Sequence, residues 1–107
     1  MRNNIIVEKM IRYSEKVLNY CDGVEYEQFL GDSKLVEACV FNLSQMGELA
    51  NEVDDDFAGK YPSVPWRQIY GLRNRIVHDY EGVNLQLVWQ IIQDDLPVLI
   101  RELQSIG

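Results

Sequence analysis

The sequence is poor in the residues that build metal sites and covalent crosslinks: its 107 residues include one histidine and two cysteines. One histidine cannot complete a Cys/His zinc set, and Cys21 and Cys39 form no CxxC motif. We therefore expect both cysteines to be reduced, with Cys39 in the core of a helical stretch and Cys21 just before a turn. Nothing here indicates a disulfide framework or a structural zinc site.

Long apolar runs are also missing. Charged residues interrupt each apolar stretch within a few positions, so no segment approaches the roughly 20 apolar residues of a membrane span. The N-terminal stretch reaches Glu8 too early for the apolar part of a signal peptide. We expect a cytoplasmic protein without a membrane segment, and residues 1–107 correspond in length to one domain.

Basic residues are scarce, with ten against seventeen acidic ones and a net charge of −7. This balance argues against binding long nucleic acids through bulk electrostatics. The basic residues are unevenly distributed: residues 59–80 contain four of them against Asp79 alone, a balance of +3, so the remainder carries −10. A local basic site on an acidic body suits a small phosphate target or a short stretch of RNA. It also suits a basic protein partner that docks elsewhere.

Strand signals are nearly absent, whereas apolar residues recur at helical spacing through most of the chain. The pattern predicts an all-α, antiparallel bundle of four main helices. Their predicted ranges are about 4–20, 32–53, 66–78 or 66–80, and 84–105, with a short helix at about 26–30 and a loop at 54–65.

Individual residues refine this prediction. Asp32 or Ser33 is the predicted cap of the second long helix, and Asn84 is the predicted cap of the last one. Gly47, in the middle of the second long helix, is expected to pack closely against another backbone. Pro97 is expected to kink or restart the last helix.

The chemistry is concentrated in residues 73–80, which hold the only histidine. Histidine titrates near neutral pH, so His78 can act as a base or an acid. Arg73 offers a fixed fork of donors to phosphate oxygens. Asn74 could position His78 or bind a nucleotide, and Tyr80 could stack on a base or contact phosphate. Such a set can cut RNA without a metal and without a cofactor.

Helical geometry does not by itself establish a site, because Arg73 and His78 do not share a face of an ideal helix. They would converge if the arginine side chain wraps round, if the helix loosens before His78, or if two copies meet across a dimer axis. A lone histidine in a helical domain is, moreover, more often structural or simply exposed. The spacing from Arg73 to His78 is weak evidence when taken alone.

Several other residues allow both a functional and a purely structural interpretation. Arg67 and Arg75 either guide RNA phosphates or pair with surface acids. Glu48 either orients Arg73 through a salt bridge or is a plain exposed acid. Asp54–Asp56 resembles a set of magnesium ligands but is better explained as a solvated run near a helix end. Trp66 and Trp89 lie in apolar stripes and are expected in the core rather than stacked on bases.

The wider string from Pro65 to Val83, with Val88-Trp89, Asp95-Leu96-Pro97 and the segment 46–50, resembles the HepT-like toxin branch of the HEPN superfamily. The resemblance covers nearly the whole chain. Its signature, Arg-x4-His-x-Tyr, is fully present as Arg73, His78 and Tyr80. Asn74 matches the polar residue that often follows the arginine in that family.

The resemblance implies an all-α homodimer whose paired motifs line a cleft. It implies a metal-independent ribonuclease toxin that acts on RNA, with Arg73 and His78 as the catalytic pair. Asn74, Arg75 and Tyr80 are the residues that we expect to support this pair or to bind RNA. The resemblance also implies a minimal nucleotidyltransferase antitoxin as partner, which transfers AMP from ATP to Tyr80 and so silences the toxin.

Two other classes of function remain open. HEPN domains also serve as non-catalytic companions that present a nucleotide or substrate to a nucleotidyltransferase. A plain dimeric interaction protein without a nucleotide function is the third alternative. The complete set of Arg73, His78 and Tyr80 favours the nuclease, because a scaffold does not need the histidine.

Overall fold

The computed structural model describes residues 2–78 and 82–106. Helices account for almost all of the regular structure in these residues, which confirms the all-α class. The elements in chain order are α1 (Arg2–Tyr20), α2 (Tyr26–Leu30), α3 (Ser33–Glu52), α4 (Asp55–Lys60), α5 (Trp66–Tyr70), α6 (Leu72–Ile76), β1 (Val77–His78), β2 (Gly82–Val83), α7 (Leu85–Gln90), a π-helical segment (Ile91–Asp95) and α8 (Leu96–Gln104).

The two long helices α1 and α3 form the centre of the fold. Met10 and Val17 on α1 and Leu43 and Met46 on α3 are completely buried, as the apolar stripes of an amphipathic helix require. At one end of the pair, the guanidinium of Arg2 donates to the carbonyl of Glu52 over 3.0 Å. The two helices are thus held together by a continuous apolar interface and by a hydrogen bond at the surface.

Helix boundaries follow the capping signals in the sequence. The Asp32 carboxylate accepts a hydrogen bond from the Leu35 amide at 3.0 Å, and the Asn84 side chain accepts one from the Leu87 amide at 3.1 Å. Both residues therefore act as the predicted N-caps. Gly23 has a φ of 76° in the turn after α1, a conformation that favours glycine.

The structure corrects two of the predicted boundaries. The segment predicted as a loop, 54–65, contains α4. Its first turn carries Asp55 and Asp56, whose negative charges are favourable beside the positive end of a helix dipole. The predicted third helix is broken at Gly71 into α5 and α6, and it ends at Ile76 instead of continuing to His78 or Tyr80.

The predicted fourth helix is also segmented, at the place where Pro97 was expected to disturb it. Pro97 lies in the first turn of α8, directly after the π-helical segment. Proline has no amide hydrogen, and its ring would collide with the carbonyl four residues earlier in a regular α-helix. The wider π turn relieves that conflict, so the helix restarts and does not stop.

Gly47 lies against the end of α5, as expected. A Cβ at this position would meet the carbonyl oxygens of Ile69 and Tyr70 at 3.0 Å and 3.3 Å. Any side chain would therefore push α5 away from α3. The glycine lowers the helix propensity of α3, and in exchange it allows two backbones to touch.

The cysteines and tryptophans that were singled out in the sequence have contacts that stabilise the fold. Cys21 and Cys39 are buried free thiols whose sulfur atoms lie 3.6 Å apart, and burial raises the pKa of each. The indole of Trp66 donates to the carbonyl of Tyr61, and Trp89 packs on Phe29 with ring centroids 5.1 Å apart. Both tryptophans, which were expected in the core, are half-buried and pack against it. Within residues 2–78 and 82–106, every helix is too short or too polar to cross a bilayer.

The close approach at Gly47 leads to a stability prediction. Gly47→Ala should lower the free energy of unfolding by about 1 kcal/mol or more, because the cost of overpacking (about 1–3 kcal/mol) exceeds the gain in helix propensity. Urea denaturation measures the change. Gly59→Ala on α4 is the matched control, since a Cβ there meets no atom within 4 Å, and it should leave stability unchanged or raise it. Equal stabilities of the Gly47→Ala variant and the parent would contradict a tight contact.

Candidate active site

The basic segment begins on α6, which is held to the core by one face only. Leu72 and Ile76 are 5% and 0% exposed and anchor the short helix. Arg73, Asn74 and Arg75 lie between these anchors and are exposed. The helix therefore presents two guanidinium groups and one amide to solvent, where they are accessible to a ligand.

The backbone leaves the helix immediately after this group. Val77 has φ −105° and ψ 121°, and β1 pairs antiparallel with β2, with Val77 opposite Val83 and His78 opposite Gly82. The ideal-helix argument that separated Arg73 from His78 therefore does not apply. The helix ends before His78, which was one of the three ways in which these residues could converge.

The base of the short hairpin is held in place on both strands. The amide of Asn84 donates to the carbonyl of Ile76 over 2.7 Å, which closes the hairpin at its base. Val77 and Val83 are half-buried and pack against the core. Gly82 has a φ of 88°, in the left-handed region that favours glycine. The side chain of His78 and the predicted modification site, Tyr80, lie outside the described residues.

The arginines of this region are not neutralised by neighbouring acids of the described part of the chain. Among residues 2–78 and 82–106, the ion pairs are those of Arg2 with Glu52 and Asp54. The predicted salt bridge from Glu48 to Arg73 is not among them, and Glu48 is an exposed acid on α3. Surface pairing with a described acid likewise does not account for Arg67 and Arg75.

The acidic run that resembled magnesium ligands has another role. Asp54 contacts Arg2 and Asn3 at the start of α1, with distances of 3.7 Å and 3.2 Å. Asp55 and Asp56 lie in the first turn of α4. In the described part of the chain, no three histidine, cysteine, aspartate or glutamate side chains are close enough together to hold a metal ion.

Two features of this region were not found from the sequence. The first is the β1–β2 pairing, for which β-branched Val77 and Val83 on either side of Gly82 were a weak signal. The second is a groove of about 770 Å³ beside α5 that has both Arg67 and Arg75 in its lining. The groove is formed where α3, α4, α5 and α6 pack against one another, and helical periodicity does not predict that packing.

A helical protein with an accessible arginine pair at the entrance to a hairpin is equipped to bind phosphate. Comparison with known proteins identifies its class. The family model for ribonuclease HepT-like proteins matches residues 10–106. The chain therefore belongs to the HepT-like ribonuclease family, as its motif resemblance predicted.

Individual relatives agree with this assignment. A protein of Caldanaerobacter subterraneus subsp. tengcongensis named "Putative RNase" is 32% identical over 88% of this chain and 90% of the relative. A "Putative RNase" of Methanocaldococcus jannaschii is 31% identical over 84% of this chain and 74% of the relative. The "Probable ribonuclease HepT" of Thermococcus cleftensis is 28% identical over 87% of this chain and 84% of the relative. No solved structure matches the chain significantly.

The conformation of Gly82 leads to a prediction about the hairpin. Gly82→Ala should reduce the free energy of unfolding by about 1–2 kcal/mol, because a Cβ is disfavoured in the left-handed region. Gly82→Asn is the matched variant and should lose less, since asparagine tolerates this conformation. Urea denaturation of the three proteins tests the order. An alanine variant as stable as the parent would contradict the positive φ.

Proposed function

We propose that this chain is a metal-independent endoribonuclease in which Arg73 and His78 cut RNA. The observation that carries the proposal is the exposed position of Arg73 on the last helical turn before β1, the strand to which His78 belongs. Membership of a ribonuclease family supports RNA as the substrate. Arg73 is exposed, so its guanidinium is accessible to a phosphodiester.

The proposed reaction is attack by the ribose 2′-oxygen on the adjacent phosphorus. A histidine removes the proton from the 2′-OH, the new P–O bond forms, and the bond to the 5′-oxygen breaks. The departing 5′-oxygen takes a proton from an imidazolium, which leaves a 2′,3′-cyclic phosphate. Arg73 stabilises the additional negative charge on the phosphate oxygens in the transition state.

We propose that the active unit is a homodimer of HEPN-type four-helix bundles. One chain supplies a single histidine, whereas the reaction uses one base and one acid. A cleft between two copies would contain two histidines and two arginines, so each role could be filled by a different chain. Asn74 and Arg75, both exposed beside Arg73, are proposed to hold the RNA in that cleft.

We further propose that the protein is the toxin of a pair with a minimal nucleotidyltransferase antitoxin, which silences it by transferring AMP to Tyr80. The Arg-x4-His-x-Tyr motif of the HepT-like toxins supports this role. An AMP group at Tyr80 would bring a phosphate close to the Arg73 guanidinium and fill the space that RNA needs. Silencing would then be direct competition between the attached nucleotide and the substrate.

The nuclease proposal predicts RNA cleavage in the presence of EDTA. His78→Ala should keep the fold and lower the rate by about 100-fold or more, because general acid–base catalysis contributes about 10²–10⁴-fold. Arg73→Gln should also be strongly impaired. The products should carry 2′,3′-cyclic phosphate ends, which mass spectrometry identifies.

Arg12→Gln is the matched control for Arg73→Gln, since Arg12 is an exposed arginine on α1, and it should cut at the parent rate. A His78→Ala variant that cuts at the parent rate would disprove the assigned mechanism. A folded, unmodified parent that does not cut RNA would favour the non-catalytic companion of a nucleotidyltransferase. Intact mass shows whether the sample is unmodified.

The silencing proposal predicts that the nucleotidyltransferase partner and ATP stop cleavage by the parent and increase its mass by AMP. Tyr80→Phe should gain no AMP and should continue to cut, because it lacks the acceptor hydroxyl. Tyr20→Phe removes the hydroxyl of an exposed tyrosine on α1 and should behave like the parent. AMP on the Tyr80→Phe variant would place the modification on another residue.

A further inference from the structure

The groove beside α5 has no assigned role. It runs between the C-terminal part of α3 and α4 on one side and α5 on the other, and it continues to Arg75 on α6. Its volume of about 770 Å³ is in the range of sites that hold a drug-sized ligand, about 300–1,000 Å³. Small residues such as Ala50 and Gly59 line its wall, which leaves room for a polymer backbone.

The charge of the groove is opposite to that of the protein. Arg67 and Arg75 line it, against Asp55 as the one acid in its lining, so the balance is +1 on a chain of −7. Both arginines are exposed. They lie on different helices, Arg67 on α5 and Arg75 on α6. They could therefore contact two different phosphates of one strand.

A second groove, on the other side of α5 and α6, has the opposite character. It has a volume of about 520 Å³ and shares Arg75, but its lining includes Asp94, Asp95 and Glu102. The balance there is −2, which repels a phosphate backbone. Helices α5 and α6 form a ridge between the two grooves. An RNA strand that reaches Arg75 is therefore attracted on the side of this ridge that carries Arg67 and repelled on the side that carries Asp94 and Asp95.

An aromatic ring lies in the positive groove. Tyr70 is 52% exposed and is part of the groove lining, so its ring is accessible to a ligand there. Single-stranded RNA is commonly bound by arginines that hold the backbone and by aromatic rings on which unpaired bases stack. Tyr70 ends α5 and Arg75, which also lines the groove, lies on α6 beside Arg73, so the groove is close to the proposed site of cutting.

We propose that this groove binds the single-stranded RNA that flanks the cut, with phosphates on Arg67 and Arg75 and a base stacked on Tyr70. The inference takes RNA as its ligand from the proposed function and adds the path by which a long substrate reaches the site. A dinucleotide bound at the site of cutting has no flanking nucleotides to place in the groove. The groove therefore contributes to the binding of long substrates and not to the chemical step.

Binding is measured with a fluorescent 12-nucleotide RNA in which each ribose is 2′-O-methylated. This probe lacks the attacking hydroxyl, so binding is separated from cleavage. Arg67→Gln should reduce the slope of log affinity against log salt concentration by about 0.7, the value for one phosphate contact of a single strand. Tyr70→Ala should weaken binding about tenfold, and Tyr70→Phe, which keeps the ring, should bind like the parent.

The control variants remove similar groups from other surfaces. Arg12→Gln removes an exposed arginine of α1, and Phe41→Ala removes an aromatic ring of α3 that is 59% exposed. Both should bind the probe like the parent. In cleavage assays, Arg67→Gln should raise the KM for a 12-nucleotide RNA and leave its kcat, and the cutting of a dinucleotide, unchanged.

The outcomes separate the two proposals. If the parent cuts RNA but Arg67→Gln and Tyr70→Ala bind the probe normally, the groove proposal is wrong and the nuclease remains. If these variants lose binding but the parent does not cut RNA, the groove proposal holds and the nuclease proposal is wrong. Equally strong binding of a 12-residue oligoglutamate peptide would overturn RNA as the occupant.

Discussion

The position of the candidate site depends on the contact between Gly47 of α3 and the carbonyl end of α5. The carbonyl oxygens of Ile69 and Tyr70 lie within 3.0–3.3 Å of the place where a Cβ would be. This contact fixes the end of α5, and α6 and the β1–β2 hairpin follow directly in the chain. A glycine without any chemistry of its own therefore determines where Arg73 and the backbone of His78 lie.

The same ridge, formed by α5 and α6, separates two surfaces of opposite charge. An acidic protein repels RNA over most of its surface, so productive binding requires a local exception. The two grooves beside the ridge differ in the sign of their lining charges and share Arg75. Such a contrast would guide a strand without a strongly basic protein, and it would limit binding to nucleic acid in general.

The break after Ile76 changes how the motif is understood. On a continuous helix, the five-residue spacing between Arg73 and His78 separates the two side chains. In the structure, extended backbone at Val77 replaces the last turn, and Asn84 closes the hairpin over 2.7 Å. Five residues from Arg73 to His78 thus span a helix end and the start of an extended strand, which a helical periodicity argument cannot detect.

The sequence by itself determined the helical class, the caps at Asp32 and Asn84, the restart at Pro97 and the close packing at Gly47. These features depend on local propensity or on the size of one residue. It also located the basic segment and the motif that indicates a HepT-like protein. Only the tertiary structure decided the break at Gly71, the β1–β2 pairing and the groove with Arg67 and Arg75. The first depends on how α5 packs against α3, the second on backbone pairing between neighbouring short segments, and the third on how the helices between residues 50 and 75 fold against one another. Contacts of this kind override local helix propensity and are not encoded in helical periodicity.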